Sequence, residues 1–243
     1  MMYHSTKTTS LIQVFRQAGQ GQVFDYFDEL DATAQAQLLT QAATIDLAEV
    51  NSLVNAQLKE MRPDALSLEG LTPAPYGALP TNGGTRAQWQ AAWEAGAAAI
   101  AAGRVAAFMV AGGQGTRLGY AGPKGTYPIT PVSNKTLFQV FAEKIYRSGE
   151  RFGVPIPWFI LTSKINYDAT VAAFKESDFF GLDATSVHFI VQGLMPAVDY
   201  EGKILLAEKS KIAMTPDGHG GSLRALVRSG AVATMAAMGI DCV

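Results

Sequence analysis

The stretch of this 243-residue sequence whose residue types could do chemistry is Gly112-Gly-Gln-Gly-Thr-Arg-Leu-Gly119, which continues to Pro123-Lys124-Gly125. Glycines let a backbone approach a ligand closely and turn its amides outward. Arg117 and Lys124 add charge-assisted donors, and the arginine fork can hold two oxygens at once. Together they make a phosphate cradle. It is not a P-loop, because no Gly-Lys-Ser/Thr follows at the required spacing. Gly113, Gly115 and Gly119 also miss the dinucleotide fingerprint, being one residue too long.

A phosphate loop needs a rigid origin. Val105 to Ala111 (VAAFMVA) is continuously apolar and reads as a strand buried on both faces, directly before the loop. Strands are also expected at Trp158–Thr162 and Val187–Val191, with helices at 86–102, 136–152 and 168–176 between or before them. Strands alternating with helices predict an α/β fold with a mostly parallel, doubly wound, Rossmann-like sheet. Ligands in such sheets bind at the carboxyl ends of the strands, where this loop begins. Short strands are expected at 202–207 and 211–214, followed by a helix over 222–238. Ile240-Asp-Cys-Val243 reads as the opening of another buried strand, so the chain is expected to be a truncated piece of a longer protein.

Upstream, apolar residues at helical spacing over 11–58 predict a small helical module, with Asp31, Thr33 and Asp46 as helix caps. A run of Pro63, Pro73, Pro75 and Pro80 with several glycines reads as a stiff linker. The expected organisation is therefore a helical module at 1–61, a linker at 62–85 and a catalytic domain beginning at 86. Trp89 and Trp93 read as core, His188 as a packed strand residue, Asp217 as a turn residue, and Lys203, Lys209 and Lys211 as solvated.

The formal charge of −2 supplies no field for a polyanion, which argues against a nucleic-acid partner. No apolar run is long enough to span a bilayer or to act as a signal peptide. The single cysteine, Cys242, fits a reducing compartment. A cytoplasmic protein with no membrane partner is expected.

The run GGQGTRLGxxxPKG, together with Lys135-Thr-Leu-Phe-Gln139, Gln192-Gly-Leu-Met-Pro-Ala197, Gly202-Lys-Ile204 and Ala213-Met-Thr-Pro-Asp-Gly-His-Gly-Gly221, resembles the eukaryotic-type UDP-sugar pyrophosphorylases. The resemblance is greatest to their UDP-N-acetylglucosamine branch. It implies a uridylyltransferase that joins UTP and a sugar 1-phosphate into a UDP-sugar, releasing pyrophosphate. It implies nucleotide contacts from Val110, Ala111, Gly112, Gly113, Gly115, Thr116 and Lys124, with Arg117 stabilising the departing pyrophosphate. Gln192 would pair with the uracil edge, an amide offering both donor and acceptor, and Gly218 would lie against the uridine. His219 would meet the sugar. Acetylglucosamine enzymes carry Asn there, whereas Gly-His-Gly is similar to the UDP-glucose and broad-specificity enzymes.

The same resemblance implies magnesium in the complete enzyme, held by an aspartate just after the strand begun at Ile240. No metal ligand is then expected within this chain, and the chain alone is expected to be inactive. Against the expected use of N-acetylglucosamine 1-phosphate, a UDP-glucose or broad-specificity UDP-sugar enzyme is the first alternative and a nucleotide-binding module without catalytic activity the second.

Overall fold

The computed structural model describes residues 2–59, 69–218 and 220–243. The chain divides into two compact units. One comprises Met1–Pro73 with Leu194–Thr215, the other Ala74–Gly193 with Pro216–Val243. Residues 202–214, expected in the catalytic domain, pack instead with the N-terminal module. Part of the expected linker, 62–68, lies outside the described residues.

The first unit contains helices α1 (Met2–Gln17), α2 (Ala32–Ala42) and α3 (Leu47–Val54), with short 3-10 turns at Gly21–Phe24 and Phe27–Glu29. Asp31 accepts from the amide of Ala34 and Asp46 from that of Glu49, so both cap as expected. Asp31, not Thr33, occupies the cap position of α2. Phe15, Val23, Phe24, Leu38, Val50 and Val54 form its core with Ile204 and Ile212.

Two glutamines hold the returning segment there. Gln20 is buried; its Nε2 donates to the carbonyl of Gly202 at 2.9 Å and its Oε1 accepts from the amide of Ile204 at 2.8 Å. Gln41 does the same to both backbone groups of Ile212, at 3.1 and 2.7 Å. Each carboxamide thus acts as a neighbouring strand would. Lys203 and Lys209 keep exposure but are not merely solvated, since Lys203 donates to the carbonyl of Gly19 and Lys209 pairs with Glu29.

The second unit is α/β and doubly wound. It opens with α4 (Arg86–Ala101), then β1 (Ala107–Val110), α5 (Leu137–Phe152), β2 (Trp158–Thr162), α6 (Tyr167–Glu176) and β3 (Val187–Val191). The strands are parallel in the order β1-β2-β3. Alternate residues of β2 face opposite ways, as the pleat requires. Trp158 and Ile160 pack with Phe138 of α5 and Phe174 of α6. Phe159 and Leu161 pack with α7 (Gly220–Arg228) and α8 (Ala231–Ala237).

Three expectations are corrected here. β1 is only half-buried, and Val110 at its end is 39% exposed, because β1 has a ladder partner along one edge alone. The expected helix over 222–238 is two helices, broken where Gly230 adopts φ +77°. Trp89 and Trp93 are 43% and 53% exposed, and no residue of the alanine-rich α4 is buried; Trp93 instead carries the guanidinium of Arg151 over its ring.

On the open edge of β1, Val105 forms a parallel bridge with Cys242. The amide of Ala106 donates to the carbonyl of Cys242, and those of Asp241 and Cys242 donate to that of Arg104. Arg104 also grips the Asp241 carboxylate through Nε and Nη2 at 2.6–3.0 Å. That hydrogen bond holds the carboxyl below its ordinary range. The chain therefore runs outward through β2 and β3, then returns to the other side of β1. β1 is the point at which the strand order reverses, where ligand crevices form in open α/β sheets.

Candidate nucleotide site at the end of the first strand

The loop departs at the carboxyl end of β1, where the amide of Ala111 donates to the carbonyl of Leu161. It then folds back on itself. Gly115 donates to the carbonyl of Gly122 at 2.9 Å, Lys124 donates its amide to that of Gly113 at 3.0 Å, and Gln114 bridges Pro123. Gly115 is buried against Tyr120, where an added Cβ would come within 2.8 Å of the ring. The Tyr120 hydroxyl bonds Thr126 Oγ1, which donates to the carbonyl of Pro123. Gly125 lies so close to the ring of Phe138 that no side chain fits. The glycines here are required by contact as well as by conformation.

Asn166 governs the loop's first turn. It is fully buried at the start of α6, in the cap position, yet its side chain makes no cap bond. Its Nδ2 donates instead to the carbonyls of Gly112 and Gly113 at 2.8 and 2.9 Å, and its Oδ1 accepts from the carboxamide of Gln114. Among the described residues, the amides of Gly112, Gly113 and Gln114 have no acceptor. Such unserved backbone donors at a strand end suit an anion.

Arg117, in the 3-10 turn Thr116–Leu118, and Lys124, which opens the turn Lys124–Thr126, are both exposed. Neither meets a carboxylate among the described residues. Two uncommitted cations thus border the free amides.

The other expected residues are distributed as follows. Gln192 follows β3, its amide donating to the carbonyl of Thr162, and its carboxamide abuts Gly112: a Cβ there would be 2.7 Å from Oε1. Gly218 (φ +67°) is reached through Asp217, whose amide donates to the carbonyl of Gly193 at 3.3 Å. The structure therefore brings Gly112, Gly113, Gln192 and the Asp217-Gly218 turn to one end of the sheet. Thr116 is exposed on the same loop. His219 lies outside the described residues. The Asp217 carboxylate packs between Gly193 and Gly221, and its Oδ1 is buried with no partner among the described residues. Gln114 and Asn166 are not among the residues expected from sequence; their signal is Ser163-x-x-Asn166, an apparent helix start whose cap side chain is used on the loop instead.

The fold and site define a doubly wound α/β protein with a glycine-rich, cation-bordered loop at the sheet's switch point. The chain belongs to the UTP–glucose-1-phosphate uridylyltransferase family, whose model matches residues 83–243. It is 36% identical to the UDP-N-acetylglucosamine pyrophosphorylase of Saccharomyces cerevisiae over 231 residues, covering 90% of this chain and 48% of that protein. It is 36% identical over 245 residues to the UDP-N-acetylhexosamine pyrophosphorylase-like protein 1 of Mus musculus, covering 94% of this chain and 47% of that one. The crystal structure of the uridine diphosphate N-acetylglucosamine pyrophosphorylase from Trypanosoma brucei, in complex with an inhibitor, superposes with a TM-score of 0.73. At 24% identity, with 96% of this chain and 49% of that chain covered, this likeness shows the shared fold. The chain spans about half the length of the curated relatives it matches.

Proposed function

We propose that this chain supplies the UTP-binding part of a uridylyltransferase that makes a UDP-sugar and pyrophosphate from UTP and a sugar 1-phosphate, with N-acetylglucosamine 1-phosphate as the sugar substrate. The observation that carries this reading is the row of unserved amides at Gly112, Gly113 and Gln114, beside Lys124 and Arg117 and within reach of the Gln192 carboxamide. The names of the relatives supply the sugar. In this reaction a phosphate oxygen of the sugar attacks the α-phosphorus of UTP, and the bond to the β,γ-pyrophosphate breaks. The protein aligns the reactants and neutralises phosphate charge, which can supply most of the acceleration. Lys124 and the free amides hold the triphosphate, Arg117 meets the leaving pyrophosphate, and Gln192 reads uracil.

Magnesium belongs to this reading as an ion carried on the substrate phosphates, where such ions keep few protein ligands. Among the described residues no three His, Cys, Asp or Glu side chains converge to hold one, and no step is assigned to it. No helix among the described residues is long and apolar enough to cross a membrane, and a cytoplasmic location is part of the proposal. A second reading, glucose 1-phosphate as the substrate, is favoured by Gly218-His219-Gly220.

The test is pyrophosphate release from UTP with a panel of sugar 1-phosphates, run on the protein at its natural length, beside UTP titration of the 243-residue chain by calorimetry. N-acetylglucosamine 1-phosphate should turn over fastest. Faster turnover of glucose 1-phosphate would move the proposal to the second reading, and absence of both turnover and UTP binding would overturn it.

A further inference from the structure

We infer that Asn166 is the positioning residue of the phosphate cradle: one buried carboxamide, fixed by Gln114, sets two consecutive peptides of the loop so that their amides face the ligand. The inference rests on the reading of the loop as a UTP site. Its physical basis is the planarity of the trans peptide, which places C=O and N–H on opposite sides of one rigid unit. The carbonyl of Gly112 shares a peptide with the amide of Gly113, and the carbonyl of Gly113 with the amide of Gln114. Nδ2 of Asn166 binds both carbonyls, at 2.8 and 2.9 Å. Drawing the two oxygens inward turns the two N–H groups outward, and these are amides with no acceptor among the described residues.

The carboxamide cannot rotate without loss. Its Oδ1 accepts from Gln114 Nε2, a residue of the same loop, so a flip would oppose oxygen to two carbonyls and nitrogen to a donor. Its backbone is anchored too, the amide donating to the carbonyl and Oγ of Ser163 just beyond β2. The side chain is fully buried, so an unmet polar atom would be costly. Glycines alone would leave the first turn of the loop free to sample many conformations. Asn166, together with the Lys124 amide that also donates to the Gly113 carbonyl, removes that freedom before the nucleotide arrives, and preorganised donors are worth more than donors that must be ordered during binding.

The consequence is specific to phosphate. Uridine uses the Gln192 side of the site and lacks the groups the two amides serve, so loss of Asn166 should weaken UTP far more than uridine. General damage would weaken both. The experiment compares the 243-residue chain with Asn166→Asp, Asn166→Ala and Gln114→Ala. Affinities for UTP and uridine are measured by NMR titration, with the Gly113 and Gln114 amide resonances followed in the same spectra. Asn166→Asp sets an oxygen against both carbonyls and should lower UTP affinity about tenfold or more. Uridine affinity should stay within about twofold, and both amide resonances should move. If the Asn166 variants do not fold, Gln114→Ala decides, since Gln114 is exposed and its loss only frees Oδ1: about a threefold or greater loss of UTP affinity is expected.

Equal UTP affinity in the folded variants, or parallel losses for UTP and uridine, would overturn the role of Asn166 while leaving the UTP site standing. Absence of UTP binding by the unsubstituted chain would instead overturn the site reading itself, and this inference with it.

Discussion

The carboxamide of Gln192 lies directly on Gly112, so that a methyl group at Gly112 would stand 2.7 Å from its Oε1 and 3.2 Å from its Cδ. The obstructing atoms are the far end of a flexible side chain, which can swing aside without disturbing the sheet. Gly112→Ala should therefore be a substitution that spares the fold and moves the amide. The melting temperature is expected to change by no more than about 3 °C. Affinity for UTP should fall about tenfold, and preference for UTP over CTP should erode because the displaced amide no longer meets the base edge. Calorimetric titration with both nucleotides, beside a thermal melt, checks this; unchanged selectivity would separate Gln192 from base recognition.

Arg117 and Lys124 sit exposed on two short turns of the same loop with no carboxylate partner among the described residues. A charge-assisted bond to phosphate contributes about 1.5–3 kcal/mol, which corresponds to roughly 10- to 150-fold in an equilibrium or rate constant. Lys124→Ala should lower UTP affinity by that order, and Arg117→Ala should lower turnover of the natural-length protein more than it lowers UTP affinity, as expected for a group serving the leaving pyrophosphate. Neither should change stability, because neither side chain packs in the core. Near-normal behaviour of both variants would sink their assignment.

Much of this organisation is readable from residue order alone, for reasons that differ by element. β2 and β3 are short, mostly apolar runs, interrupted only by His188 and closed by Thr162, and both strands fall at the bounds their side chains imply. The loop is legible because its glycines and cations follow a strand immediately. What escaped were relationships set by distant side chains. Gln20 and Gln41 bind backbone groups some 170–180 residues away, and no local periodicity carries that information. Asn166 looks like an ordinary helix cap until the loop it holds is placed beside it. A lone glycine such as Gly230 is tolerated inside a helical pattern, so the break it makes through its positive φ does not show in residue order.

Gln20 gives the contact that ties 202–204 to the helical module a testable cost. It is 3% exposed, donates to Gly202 and accepts from Ile204 and Gln22. Gln20→Ala would strand a buried carbonyl and a buried amide, each costing about 1–3 kcal/mol when left unmet. A loss of about 2–4 kcal/mol in urea unfolding is expected, with UTP affinity little changed because the glycine-rich loop belongs to the other unit. A loss below about 0.5 kcal/mol would show that water replaces the carboxamide freely.

His188 on β3 predicts a pH dependence of stability. Its ring stacks on that of Phe159, with centroids 4.4 Å apart and planes at 17°, and its Nε2 is buried with no partner among the described residues. Burial lowers its pKa below the ordinary 6.5. Between the folded value and 6.5 the unfolded chain binds a proton that the folded chain does not, so unfolding is favoured as protons become available. The contribution of neutral His188 is thus complete above about pH 6.5, declines as pH falls toward the folded pKa, and is constant below it. His188→Phe keeps a stacked ring and abolishes the titration. The difference in unfolding free energy between the two proteins should be flat above about pH 7 and should shift in favour of the variant as pH falls below about 6.5 toward the folded pKa. At neutral pH the variant should already gain about 1 kcal/mol by removing an unmet buried nitrogen. Using the difference cancels the other titrating groups, His4 and His219 included. A pH-independent difference would mean that the His188 imidazole binds its proton equally in the folded and unfolded protein, as it would if water reached its Nε2.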